Sequence, residues 1–327
     1  HRPLDRRRPV PRGAEAVKRL LACLSLVLAC AGAHAASPAD AAGPRAIWTW
    51  EEDTTAMLQQ PAVAGRAIAF LKSKSVDTVF LYADAFDGRN PIVADPAQYR
   101  RLVRRLHASG LRVYALLGSG YLHTERYVLP KHHADAVAML QRVLDYNRTA
   151  APSERFDGVN VDIEPHILAE WSTRKMALLA GFLDMSEALM RTMRASGQVL
   201  PVGPAIPFWL DGIELEWNGR RKPVSQHTQD IYDYVALMDY RDRAEGGDGI
   251  VSHAMDELRY GEAIGRKVLI GVETMPNAIK KVSFHHLGEA DLERELGKTR
   301  DAVGGMPSFG GFVVHHYGSY RRWLGLD

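Results

Sequence analysis

In the stretch FDGVNVDIEPH, residues 156–166, amide and acidic side chains stand at every second position: Asn160, Asp162 and Glu164, with Val159, Val161 and Ile163 between them. Side chains alternate faces along an extended strand, so the three polar groups share one face and the three aliphatic groups the other. Two carboxylates two residues apart on a buried face repel each other, and burial penalises each charge, so one of the pair is driven toward its protonated form. A carboxylic acid kept neutral beside an ionised one can protonate a departing oxygen. Further groups with chemical potential stand at the ends of other apolar runs: Trp48, Trp50 and Glu51; Tyr82 and Asp84; Ser119 and Tyr121; Phe208 and Trp209; Asp239 and Tyr240; Glu273; and His315, His316 and Tyr317.

Something must bring these scattered positions together. From Arg45 onward, short β-branched or aliphatic runs alternate with amphipathic stretches, the rhythm of strand–helix units. Strands are expected at 45–50, 76–83, 111–118, 156–164, 199–206, 234–240, 267–273 and 310–317. Helical patterns such as PAQYRRLVRRLHASG and HADAVAMLQRVLDYN lie between them. Eight such units, with no glycine-rich dinucleotide fingerprint after the first strand, predict an α/β fold: a single-domain (β/α)8 TIM barrel over residues 36–327. Barrels of this kind assemble their sites where strands end and the following loops begin, which is where the polar and aromatic residues above fall. In that setting Asn160, Asp162 and Glu164 point into the barrel. The segment DGIELEWNGRRKPVSQH, 211–227, is expected to be a loop insertion over the barrel mouth.

The fourth-strand run Asp157-Gly158-Val159-Asn160-Val161-Asp162-Ile163-Glu164 resembles the signature of family 18 glycoside hydrolases, the chitinase family, with Asn160 in place of one aspartate. The resemblance implies that Glu164 is the general acid. It also implies that Asp162 orients a substrate acetamido group that attacks the anomeric carbon in place of a protein nucleophile. Met238-Asp239-Tyr240-Arg241 is similar to the family's sixth-strand motif, with Tyr240 retained as a substrate-orienting hydroxyl and Arg241 where the motif has an acid. In the eighth strand, Gly310–His315, His315 stands where the family has a tryptophan. A second resemblance, to the retaining glycosidase clan that includes cellulases and β-galactosidases, pairs Glu164 with Glu273 after the seventh strand as nucleophile. A carboxyl separation of about 5–5.5 Å would suit that route, and roughly 6.5–9.5 Å would suit inversion.

All six tryptophans fall at expected strand ends or in loops, and flat aromatic faces beside carboxylates suit sugar rings. The expected site is therefore catalytic Glu164, Asp162, Glu273 and Tyr240. Asn160, Trp48, Trp50, Tyr82, Asp84, Trp209, Asp239, His315 and Tyr317 are expected to bind substrate. Bracing of the barrel by ion pairs from Asp162 and Glu164 to Arg241 or Arg243 is the structural alternative, and hydrogen bonding alone is the leading expectation for Asp84 and Asp239. The doublets His132-His133, His285-His286 and His315-His316 invite a metal, but the first strand carries no His-x-His pair, and neither metal nor cofactor is expected.

A net charge of +2 gives no basic face for nucleic acid. Residues 17–36 have the three parts of an export signal: Lys18 and Arg19, an apolar run from Leu20, and the small-residue site Ala33-His34-Ala35. The expected organisation is thus an upstream segment and cleavable signal over 1–35, with Val17 as initiator, ahead of the barrel. The run is too short for a stable membrane span. A secreted or periplasmic product follows, lipidation at Cys30 being the lesser alternative, and sequencing the mature N-terminus decides the matter. Both cysteines lie in this signal, so no cysteine chemistry is expected in the barrel. The function predicted is a secreted glycoside hydrolase acting on a poly- or oligosaccharide, with a sugar-binding barrel that turns nothing over as the competing class.

Overall fold

A computed structural model describes residues 44–326, and the expected signal lies outside the described residues. The strands are β1 (Arg45–Thr49), β2 (Thr78–Tyr82), β3 (Arg112–Leu117), β4 (Gly158–Val161), β5 (Val202–Pro207), β6 (Glu214–Trp217), β7 (Arg220–Pro223), β8 (Tyr234–Met238), β9 (Lys267–Glu273) and β10 (Phe309–His315). All but β6 and β7 form one parallel sheet that closes on itself in the order β1-β10-β9-β8-β5-β4-β3-β2, the (β/α)8 barrel expected. Closure pairs Ile47 with Val314 on one side and Trp48 with Phe80 on the other.

Two apolar layers follow from alternation along the strands. Val159, Val161 and Ile163 of the fourth-strand segment join the large cluster between barrel and helices, with Val79, Leu81, Val235, Leu237, Val272 and Val314. Ala46, Trp48, Phe80, Leu116, Ala205, Tyr234, Ala236 and Val313 fill the barrel interior. Helices between the strands include Glu51–Gln59, His133–Thr149, Trp171–Ala195, Ile250–Ile264 and Glu289–Val303.

The insertion after β5 is not a loop over the mouth. Its core is an antiparallel hairpin, β6–β7, turned by Asn218 and Gly219 at φ 50° and 72°. Both central residues of such a turn need positive φ, which Asn-Gly supplies at little cost. The hairpin lies against the barrel's flank, where Trp217 Nε1 donates to Asp184 of helix Trp171–Ala195 at 2.9 Å. The chain then continues into helix Val224–Ile231.

Candidate active site

The barrel interior is plugged beneath the mouth. Asn160 is fully buried, and its groups are spent inside the barrel: Oδ1 accepts from Trp48 Nε1 at 2.9 Å, and Nδ2 donates to the Gly203 carbonyl at 3.2 Å and to the Tyr234 hydroxyl at 3.3 Å. Tyr234 in turn donates to the Val159 carbonyl at 2.8 Å. Asn160 and Trp48, expected to touch substrate, instead form the floor on which the site is built.

Above that floor stand Asp162 and Glu164. The β3–β4 register sets their height: the Asp162 amide donates to the Leu117 carbonyl at 2.7 Å, and the chain then passes so close to Gly118 that a Cβ there would meet the Asp162 carbonyl oxygen at 2.2 Å. Gly118 also holds φ at +90°, which a side chain would disfavour. Asp162 Oδ1 is buried without a hydrogen-bond partner, although the residue as a whole keeps some exposure. Burial, then the negative charges of Glu164 and Glu51, hold its carboxyl well above the usual carboxylate range. Of the fourth-strand pair, the aspartate is thus the member pushed toward protonation. Glu164 keeps about a quarter of its side chain exposed at the rim, with Oε2 3.2 Å from His166 Nε2.

Glu273 and His315 face each other because β9 and β10 pair in that register. Trp50 Nε1–H donates to His315 Nε2 at 3.0 Å, so Nδ1 carries the proton of the neutral ring and donates to Glu273, with its oxygens at 3.0 and 3.1 Å. Glu273 Oε1 also accepts the backbone N–H groups of Thr274 and Met275, each at 2.8 Å. Tyr240 reaches this group with its ring 5.8 Å from that of His315. Burial, and then the charges of Glu273, Asp162 and Glu164, hold its phenol well above the ordinary range, so it stays a neutral donor among carboxylates. Trp50, Asp162, Glu164, Tyr240, Glu273 and His315 therefore converge from five strand ends. No lysine or arginine among the described residues pairs with any of these acids. Arg241 is committed elsewhere, to Asp248 at 2.8 Å and to the Tyr240 carbonyl at 2.8 Å, so the bracing network considered from sequence does not form.

Other expected residues are placed differently. Tyr82 is buried beside this group but donates to the Ala85 carbonyl at 2.7 Å. Asp84 is buried in an ion pair with Arg142 of helix His133–Thr149, at 3.0 Å. Asp239 has the opposite parity to Tyr240. It is fully buried, neither of its oxygens has a hydrogen-bond partner, and burial followed by the charge of Glu257, on helix Ile250–Ile264, raises its carboxyl well above the usual range. Tyr317 sits past the end of β10, at the start of helix Tyr317–Trp323, and packs edge-on against Phe70 in the outer layer. Trp209 does lie beside Glu164. With Ile163, Pro165, His166 and Trp171 it encloses a cavity of about 10 Å³, room for one water at most.

Three contributors escaped the expected site. Glu51 opens the helix after β1, accepts a hydrogen bond from the Ser119 hydroxyl, and its charge helps to raise the Asp162 carboxyl. Ser119 follows β3, and its own amide is fixed by Thr124 Oγ1 at 2.7 Å. His166 is the third. Glu51 and Ser119 stood among the strand-end residues, which was their only signal; their mutual contact spans 68 residues of sequence. Among the described residues no group of three or more His, Cys, Asp or Glu side chains is arranged to hold a metal ion, and no helix is long and apolar enough to cross a membrane.

No protein-family model matches the chain, and no curated protein sequence is significantly similar to it. Solved structures do share its fold. A family 18 chitinase from Cycas revoluta, in complex with (GlcNAc)3, is 12% identical, with 87% of this chain and 98% of that chain covered and a TM-score of 0.51. An exo-β-1,4-mannosidase from Opitutaceae bacterium strain TAV5 is 14% identical over 84% of this chain and 51% of that one, with a TM-score of 0.52. Against a variant of catalytic domain 2 of the Ostrinia furnacalis Group II chitinase the figures are 12%, 71% and 64%, with a TM-score of 0.42, so the chain spans less than two thirds of that protein. At these identities the likeness is one of fold, and it extends to glycosidases of more than one kind: the chain shares the (β/α)8 barrel of a family 18 chitinase and of a mannosidase.

Proposed function

We propose that the protein hydrolyses glycosidic bonds in a poly- or oligosaccharide containing N-acetylated sugars, with Glu164 as the proton donor. The observation that carries this reading is the Asp162–Glu164 pair: two carboxylates at the barrel mouth, uncompensated by any lysine or arginine among the described residues, that favour holding one proton between them. In the resting site the proton lies on the buried Asp162. Passed to Glu164, it is delivered to the glycosidic oxygen, and the Asp162 carboxylate left behind orients the acetamido N–H and balances the positive charge that develops as the acetamido oxygen attacks the anomeric carbon.

Glu273 fits less well as a nucleophile. Its Oε1 accepts two backbone amides and both its oxygens lie within reach of His315 Nδ1, which supports a role as the anchor of His315 at the pocket wall. Tyr240, neutral and central, is the hydroxyl that orients the sugar. The Cycas chitinase bound to (GlcNAc)3 is consistent with the substrate class.

Glu164→Gln is expected to abolish release of reducing ends from chitin oligomers while leaving saturable binding; undiminished release would end the proposal. One observation favours the second reading, a sugar-binding barrel without turnover: Asn160 and Arg241, the two departures from the chitinase motifs, are both committed to bonds within the barrel and its rim. Saturable binding by the unmodified chain with no release of reducing ends from chitin, peptidoglycan or β-glucan oligomers would decide for that reading. Export, expected from residues 17–36, places the substrate outside the cytoplasm in either case.

A further inference from the structure

On the flank of the barrel a cleft of about 390 Å³ opens between the turn Phe208–Gly212, helix Val224–Ile231 and helix Ile250–Ile264, a size that small molecules occupy. Asp211, two residues beyond Trp209, forms one wall, and Ser225 and Gln226 form a second. The third is one face of helix Ile250–Ile264, where Asp256, Arg259 and Tyr260 stand three and four residues apart.

Acidic charge gathers on one side of this cleft. Burial, then the charge of Asp256, hold the Asp211 carboxyl above its usual range. Glu257, a neighbour of Ser225, is fully buried with neither oxygen hydrogen-bonded, and the charges of Asp211 and Asp256 reach it as well. Among the described residues no lysine or arginine pairs with any of these three acids. His253 is near enough for Asp211 to feel its charge, but its Nε2 lies 2.8 Å from Asp248. Lys222 is engaged elsewhere: its Nζ stands 5.4 Å over the Tyr260 ring, donates to that hydroxyl at 3.0 Å and pairs with Asp230.

Neighbouring carboxylates without a counter-charge favour a cation between them. Among the described residues no three His, Cys, Asp or Glu side chains are arranged to hold a metal ion, so the cation that fits is one carried on a molecular body. An ammonium supplies N–H donors to two carboxylates at once. The other walls narrow the choice. Arg259 repels a second positive charge but donates to neutral oxygens, and Ser225 and Gln226 offer donors and acceptors that suit hydroxyls. One ammonium among hydroxyls on a compact ring describes an amino sugar without its acetyl group. We propose that this cleft is a second carbohydrate site, which binds a non-acetylated amino sugar through an ammonium seated between Asp211 and Asp256. An acetamido nitrogen carries no charge and leaves the two carboxylates unbalanced. The site lies apart from the barrel mouth, and its occupancy does not depend on proton delivery by Glu164.

Titration of the full chain, followed in nitrogen-15 backbone spectra at pH 6, tests this with methyl glucosaminide, its N-acetylated counterpart and the diamine putrescine. The glucosaminide is expected to shift the amides of Ser225, Gln226 and Tyr260, and the acetylated sugar to leave them in place. Asp211→Asn and Asp256→Asn, at positions that keep exposure, are each expected to weaken the glucosaminide about 3- to 5-fold, and the double substitution roughly 10-fold or more. Thermal midpoints of these variants within a few degrees of the unmodified chain show that they fold. Equal affinity of the double variant, or shifts confined to the mouth around Trp50 and Tyr240, overturns the proposal. So does an acetylated sugar that shifts the cleft amides equally, and putrescine bound more tightly than the glucosaminide overturns the assignment to a sugar.

Discussion

Glu257 tests the electrostatics of this barrel without reference to any substrate. It is fully buried on helix Ile250–Ile264, and neither carboxylate oxygen has a hydrogen-bond partner. Burial first, then the charges of Asp211 and Asp256, push its carboxyl up to about 8 from an ordinary 4.5. The folded state thus holds a proton that the unfolded chain releases several pH units earlier. Stability from this group is fully present below the unfolded value and is lost as pH rises through the folded one. At about 1.4 kcal/mol per pH unit of differential titration, the loss is roughly 1 kcal/mol by pH 5 and about 3 kcal/mol by pH 7, as orders of magnitude. Replacing Glu257 by Gln removes the titration and keeps the shape. Urea unfolding of both proteins at pH 5 and pH 7, with slopes checked to be equal, should show Glu257→Gln gaining about 2 kcal/mol on the unmodified chain between the two pH values. Asp239 is buried close enough for the Glu257 charge to raise it, so the two carboxyls titrate as a coupled pair; Glu257→Gln also relieves Asp239, with the same sign, and the measured gain belongs to the pair. A stability difference between the two proteins that is the same at both pH values would refute the reasoning.

Two further outcomes follow from the geometry of the fourth strand. Gly118→Ala should destabilise the protein by roughly 3 kcal/mol or more, because the new methyl group meets the Asp162 carbonyl and φ is positive; a thermal midpoint unchanged within a degree would contradict this. Asn160→Asp, which restores the chitinase signature, should cost about 2–5 kcal/mol. It sets an acceptor against the Gly203 carbonyl and a carboxyl group in the barrel floor, and the cost should grow with pH in chemical unfolding. A gain in stability or in sugar hydrolysis on that substitution would show that the floor is not sealed as described.

Much of the fold was legible because barrel strands declare themselves locally. The apolar runs at 45–50 and 234–240 needed only β-propensity and flanking turns to be recognised, and each matches an observed strand within a residue or two at either end. The hairpin Glu214–Pro223 is announced only by its Asn218-Gly219 turn: its two short strands, ELEW and RRKP, are largely charged and carry no apolar run that would mark them as strands. Within the site, alternation put Asn160, Asp162 and Glu164 on one face, but it could not say how far above the floor each would stand. Asp239 and Tyr240 are adjacent at the end of one strand, so they point to opposite sides, and only Tyr240 joins the carboxylates of the mouth. Tyr317 shares parity with His315 on paper, but the chain leaves the strand after His315, and parity ends there.

The sequence by itself determined which segments would be the barrel strands, which faces those strands would turn inward, and that acids and aromatics would crowd one rim, because each of these follows from short-range periodicity. Only the tertiary structure decided which acid is buried, that Trp50 sets the hydrogen of His315, that Glu51 and Ser119 meet, and that Trp171 and Trp209 clamp His166 beside Glu164. Those outcomes depend on the parallel register of strands far apart in the chain and on how much water each oxygen keeps. Burial and distance belong to the closed barrel as a whole, and no local run of residues contains them.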